Sequence, residues 1–343
     1  MKELITTVNQ WREEKKKMVL ARVIQTWGSS PRPAGSAMLI AHTLEMAGSV
    51  SGGCVEGDVL KEAQQVMLTG QSKQLHYGVT DEEAWTVGLT CGGKLRVFLQ
   101  PWHFGETAVS DGPAALLHQR LAQNKSCMLV TPLTDEVDQS AVVLPEGECI
   151  GAPLPPAVVS SALEAYGRRT HQIITLDGTD FFIQVFPKRS RLIIVGAAHI
   201  ATHLVMLAKR YDFETLVIDP RGIFAKKTVF ETAPDHLFEN YPSEVLPDLS
   251  PDPYTYAVIL SHDPKIDDDA LQYLLRTPVA YIGALGSRKN HEKRVARLHE
   301  RGFSSEEINR INAPIGLDIN AQGAGEIALS IMAAMIKVKN EFA

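Results

Sequence analysis

The chain reads as an α/β protein. A mixed α+β N-terminal domain over residues 1–188 precedes a Rossmann-like, doubly wound parallel sheet over residues 189–343. Three observations predict this. From residue 190 onward, short apolar strands alternate with helical stretches, the pattern of a parallel sheet covered on both faces. Before residue 190, strand-like runs are punctuated by Gly, Pro and Ser clusters, with helices between them. The chain has 343 residues, 45% of them hydrophobic, enough for two cores.

Taken in order, residues 3–16 have helical spacing (Leu4, Ile5, Val8, Trp11). MVLARVIQTW (18–27) alternates, is rich in β-branched residues and ends at Gly28, so it predicts a strand. GSSPRPAGS is a loop feeding a second strand, AMLIA (37–41). GSVSGGCVEGD is another glycine loop, and a helix starts near Glu56. Residues 73–90 fit no single pattern. CGGKLRVFLQP opens on a glycine turn and closes as a strand. Helices are expected at 113–124 and 156–168, and strands at CMLVTPL, AVVL and DGTDFFIQVFPK. The last of these loosely echoes CGGKLRVFLQP: glycine, spacer, apolar strand, proline. Beyond 190, RLIIVGAAHIATHLVMLAKRYDFETLVIDPR reads strand, tight turn, helix, strand. Further strands follow at YAVILSH and PVAYIGALGS, with helices near 266–276, 289–301, 304–311 and 323–339.

Composition excludes some functions. A net charge of −6 argues against a general nucleic-acid or membrane-surface binder. No stretch of about twenty apolar residues exists to span a bilayer. The charged start, MKELITTVNQWREEKKKM, does not resemble a signal peptide. The four cysteines, Cys54, Cys91, Cys127 and Cys149, form no C-x-x-C pair. A cytoplasmic location with free thiols is expected.

The loops carry the chemistry. In SGGCVEG, Gly52 and Gly53 remove side-chain bulk beside Cys54, so backbone donors can approach a ligand. A thiolate suits a soft metal or sulfur, and Glu56 is placed to exchange a proton nearby. GLTCGGKL repeats the device at Cys91 and Gly92, and a third loop adds Arg32. A small buried hydrophobe in a tight turn is the competing reading for each cysteine. In the second domain, Gly196 begins a turn that continues Ala197-Ala198-His199, and Asp219 ends the next strand at the usual ribose-contact position. Ala198 crowds the place where a dinucleotide motif has its second glycine. His262 and Asp263 follow one strand, and Gly286, Ser287, Arg288 and Lys289 follow another. That last group offers a capped helix start and positive charge for a phosphate. His199 and His203 lie one helical turn apart, but no third metal ligand is evident.

In combination, GSSPRPAGSAML, GSVSGGCVEGDV, CGG, LIIVGAAHIA, LSHDPK, YIGALGSRK and PIGLDI resemble the xanthine dehydrogenase accessory family, XdhC/CoxI. The likeness runs in order from about residue 18 to 336 and is weak over 105–187. The chain departs from it at Ala198, Asn312 and 320–326. The resemblance implies a molybdenum-cofactor (molybdopterin) chaperone rather than a turnover enzyme. Such a protein supports sulfuration with a cysteine desulfurase and delivers the cofactor to a molybdenum hydroxylase. It further implies that Cys54, then Cys91, faces the metal. The cofactor would lie between the domains, with its phosphate near Gly286–Lys289. A homodimer is expected. An NAD(P)-dependent oxidoreductase and a cofactor-free adaptor between desulfurase and client are the alternatives.

Overall fold

The computed structural model describes residues 1–30, 32–78, 93–102, 112–136, 139–222 and 230–341. These form two compact units, Met1–Lys188 and Arg189–Ala343.

The first unit contains one arrangement built twice. Its first half runs α1 (Ile5–Glu13), β1 (Met18–Trp27), β2 (Ala37–Ala41), β3 (Met46–Gly48), α2 (Glu56–Thr69), β4 (Lys73–Tyr77) and β5 (Lys94–Trp102). The second runs α3 (Pro113–Ala122), β6 (Cys127–Pro132), β7 (Ala141–Val143), β8 (Cys149–Gly151), α4 (Pro156–Arg168), β9 (Gln172–Leu176) and β10 (Thr179–Phe186). Each half forms a five-stranded antiparallel sheet, ordered β3-β2-β1-β5-β4 and β8-β7-β6-β10-β9. The connectivity is the same in both. The echo between the β5 and β10 sequences therefore falls on equivalent strands.

Equivalent side chains do equivalent work. On α2, Val59, Ala63 and Val66 are buried against the first sheet; on α4, Val158, Ala162 and Ala165, at the same spacing, are buried against the second. Ile24 and Phe98 of one half meet Leu133 and Phe182 of the other. By strand register Arg22 corresponds to Thr131 and Gln100 to Gln184. The wholly buried Arg22 guanidinium donates to Thr131 Oγ1 (2.8 Å), Gln184 Oε1 (3.3 Å) and Gln100 Oε1, and lies over the Phe182 ring. Helices α1 and α3 complete the apolar layer shared by both sheets.

The second unit holds a six-stranded parallel sheet, β13-β12-β11-β14-β15-β16. Its elements are β11 (Arg191–Val195), α5 (His199–Arg210), β12 (Glu214–Ile218), β13 (His236–Phe238), α6 (Pro242–Leu249), β14 (Thr255–Ile259), α7 (Pro264–Leu274), β15 (Tyr281–Ala284), α8 (Arg288–Glu300), α9 (Ser305–Ile308), β16 (Ile311–Asn312) and α10 (Ala324–Glu341). Strands β11, β12 and β14 are buried on both faces apart from the first residues of β11 and β12, which is why they read as continuous apolar runs. Helices α5 and α10 cover one face; α6, α7 and α8 cover the other. Strand order reverses between β11 and β14, and the turns at the C-terminal ends of these strands line the crevice where such sheets bind ligands.

Candidate functional site

Strand register brings the glycine loops of the first unit to one end of its first sheet. β1 ends where β5 begins (Trp27↔Lys94), β2 starts there (Ala37↔Arg22), and β3 finishes beside it (Gly48↔Met38). The Gly28 turn, the Gly35 turn, the 49–55 loop and Gly93 therefore share that edge. A Cβ on Gly93 would lie 2.4 Å from Ser29 O, so Gly93 packs directly on the turn after β1. Gly35 is held from the second sheet: its carbonyl accepts from Gln184 Nε2 (2.8 Å), and its Cα is packed against His171. Cys91 and Gly92, named from the sequence as the second thiol device, lie outside the described residues. Arg32 is half-buried near this edge and lies 3.9 Å from Glu3 across a loose ion pair.

The loop around Cys54 is organised by Glu56, in a way the residue pattern does not announce. Its Oε1 accepts from Ser49 Oγ (2.6 Å), Ser51 N (2.9 Å), Gly52 N (3.1 Å) and Val50 N (3.3 Å). Its Oε2 accepts from Gly53 N (2.8 Å) and from the Ser51 hydroxyl. Partial burial opposes ionisation, but these donors prevail and bring the Glu56 pKa down to about 2. Two expectations are corrected. The amides of Ser51, Gly52 and Gly53 point at the chain's own carboxylate instead of a ligand. Glu56 stays ionised and does not exchange protons at neutral pH. Gly52 (φ 78°) and Gly53 (φ 122°) supply the left-handed backbone that closes this nest. Cys54 sits on its shoulder, half-buried against the first-unit core and followed directly by α2.

The second half of the unit provides an internal comparison. The connection from β8 to α4, Ala152-Pro153-Leu154-Pro155, occupies the place of the 49–55 loop. It has no thiol, no glycine pair and no carboxylate. The second half makes this connection in four residues without them, so the repeated topology does not by itself call for this set.

In the second unit a hydrogen-bonded chain runs beneath four strand ends. Asp219, fully buried, accepts from Ala197 N (2.8 Å) and Arg221 N (3.0 Å), and is clasped by Arg221 Nε (2.9 Å) and Nη2 (2.8 Å). Burial works against its charge, yet these bonds hold its pKa below the usual value. Arg221 Nη1 reaches Ser261 O (3.4 Å). Ser261 Oγ donates to Asp267 (2.5 Å), whose pKa burial pushes up, and Arg294 Nη2 joins Asp267 (3.2 Å) to Leu285 O (2.9 Å). Asp219 was expected to hold a ribose. The structure corrects this, because all its acceptor capacity is turned inward onto Arg221 and the turn after β11. Arg221 was not singled out from the sequence; the Asp-Pro-Arg run at a strand end is the signal that marks it.

The other expected residues fall along the same edge. Gly196 (φ 100°) is needed because a Cβ would stand 2.5 Å from Ser261 N. His262 is exposed, with a left-handed backbone (φ 61°), and Asp263 caps α7 by accepting from Lys265 N (2.9 Å). Ser287 caps α8 as expected, accepting from Asn290 N (3.3 Å); Gly286 turns with φ 139°, and Arg288 and Lys289 are exposed. His199 opens α5 beside a cavity of about 430 Å³ lined by Ala197, Ala198, Thr202, His203, Met206 and Glu231. Among the described residues no helix is long and apolar enough to cross a membrane.

The chain is similar to known proteins along most of its length. Residues 192–335 match the family model described as the XdhC Rossmann domain, and residues 11–78 match the model of the XdhC and CoxI family. A Bacillus subtilis protein described as a probable xanthine dehydrogenase subunit is 27% identical over 96% of each chain. The molybdenum cofactor insertion chaperone PaoD of Escherichia coli is 27% identical over 94% of this chain and 83% of its own. A crystal structure of a xanthine dehydrogenase from Bacillus halodurans superposes with a TM-score of 0.75 at 26% identity, covering 98% of this chain and 95% of that one.

Proposed function

The chain belongs to the XdhC and CoxI family, and from that premise we propose that it binds molybdenum cofactor and hands it to a xanthine dehydrogenase-type molybdenum hydroxylase. One observation carries the reading. The first unit repeats a single arrangement, and only one copy bears a glycine-flanked thiol on a loop locked by six donors to one carboxylate. A thiol held on so rigid a loop suits the soft metal of the cargo, and Cys54 is its proposed contact. Cys91 is the second proposed contact. The capped start of α8 at Gly286–Lys289 is the proposed seat for the cofactor's phosphate. A cysteine desulfurase partner, a homodimer and a cytoplasmic location belong to the same proposal.

The two named relatives differ, one being called a chaperone and the other part of a dehydrogenase. A reconstitution assay separates these roles for this chain. Apo-hydroxylase is given cofactor either free or preloaded on the protein, and activity and co-elution are followed. A chaperone raises the yield of active enzyme and then elutes alone. Yields equal to those with free cofactor would reject the proposal, as would permanent co-elution with the hydroxylase.

A further inference from the structure

We propose that the exposed face of α5 binds one copper(I) ion through His199, His203 and Met206. This inference does not rest on the cofactor reading; it concerns the first two turns of α5 in the second unit.

The three side chains follow i, i+4, i+7 spacing and line one cavity of about 430 Å³. The two imidazoles are already paired, with ring centroids 5.1 Å apart. An ion about 2 Å from a nitrogen of each ring lies about 3.2 Å from each centroid, and a 5.1 Å separation then subtends about 105° at the ion, close to the tetrahedral value. The remaining donors decide the metal. Thr202 Oγ1 is already donating to His199 O (2.8 Å). Glu231 lines the same cavity, but among the described residues no three His, Cys, Asp or Glu side chains come together to hold an ion, so the third protein donor is the thioether of Met206. Met206 is 43% exposed, unusual for a methionine in a well-packed helix, and it sits at the cavity instead of in the core. Thioether with imidazole selects copper(I); zinc would want a thiolate or carboxylate in that place.

The position also explains an oddity of the turn. A dinucleotide would approach the amides after β11 closely, but Ala198 places a methyl group there and Asp219 is committed to Arg221. The polar content of the cavity therefore lies on the helix face and at Glu231.

The test is an anaerobic competition between the full chain and a chromophoric copper(I) chelator, comparing wild type with a His199→Gln/His203→Gln double variant and with Met206→Leu. The thiols are common to all three, so differences report the α5 face. Wild type should withhold one more equivalent of copper than the double variant, and Met206→Leu should weaken that equivalent at least tenfold. The same titration with zinc(II) should show no dependence on Met206. As a check that needs no variant, copper(I) should protect His199 and His203 of the wild-type chain from carbethoxylation, read by peptide mass. Equal copper uptake by wild type and double variant, or unprotected histidines, would overturn the site. Tighter zinc than copper binding would overturn the assignment of the metal.

Discussion

Replacing Glu56 by glutamine tests how the Cys54 loop is held. The carboxylate gathers six donors, four on Oε1 and two on Oε2. Glutamine keeps one acceptor oxygen and turns the other position into an N–H donor. If its oxygen takes the four-donor side, the amide faces Gly53 N–H and the Ser51 hydroxyl, which itself already accepts from Val55 N (3.0 Å). One donor is then orphaned and the charge assistance to the rest is lost. Charge-assisted bonds contribute about 1.5–3 kcal/mol each, but water reaches this half-exposed loop, so a net loss of about 2 kcal/mol is expected. The pH dependence carries an independent signature. Glu56 ionises at about 2 when folded and at 4.5 when unfolded, so its contribution is complete above pH 4.5 and is lost as pH falls toward 2. Discounted for solvent screening, that contribution is about 1–2 kcal/mol. All four tryptophans precede residue 103, so their fluorescence during urea unfolding follows the first unit. Glu56→Gln should lower its stability at pH 7 by about 2 kcal/mol, some 4–8 °C in Tm, and flatten its decline between pH 4.5 and 2.5. A variant within about 0.5 kcal/mol of wild type, with an unchanged acid decline, would refute the nest as a source of loop rigidity.

Three further outcomes follow from the same geometry. Burial brings the pKa of His118 and of His171 down to about 4, and His171 Nδ1 accepts from Val185 N (3.1 Å), so each is neutral when folded and takes up a proton on unfolding. Stability of the first unit should therefore fall as pH drops from 6.5 to 4, by up to about 3 kcal/mol per histidine, and His171→Gln should remove part of that slope in pH-dependent melts. Gly196→Ala should destabilise the second unit by about 3 kcal/mol or more, because its Cβ meets Ser261 backbone in a left-handed conformation, while tryptophan-detected unfolding of the first unit stays unchanged. Asp219→Asn should cost the second unit about 3 kcal/mol by leaving Arg221 without its carboxylate, and calorimetry should find NADH binding no different from wild type.

The parallel sheet was legible because strands buried on both faces read as unbroken apolar runs, and the loose echo between β5 and β10 lies in the sequence itself. What escaped were the edges. β4 (KQLHY) and β9 (QIITL) carry polar residues on their open side, while β3, β8 and β13 are three residues long. Such segments owe their conformation to a neighbouring strand instead of to their own pattern. α6 hid behind Pro242 and Pro247, although Pro242 at a first helical turn is favourable. At the sites, residue types were legible and directions were not. Glu56, Asp219 and Asp263 were all expected to face a ligand, yet Glu56 and Asp263 are turned onto backbone amides of their own loops, and Asp219 onto Arg221 and the amide of Ala197 in a neighbouring turn. Spacing marks where an acid lies along the chain, whereas its hydrogen-bond partners depend on loop closure.

The central claim, that the Cys54 loop holds molybdenum cofactor, is tested most directly by anaerobic loading with released cofactor. Molybdenum and pterin retained through desalting are counted for wild type and Cys54→Ala side by side. About one equivalent of each is expected on wild type, with loss of the metal from the variant, whose melting temperature should stay close to wild type. Equal retention by both chains would assign Cys54 to packing alone, and retention by neither would contradict the cofactor-carrier role itself.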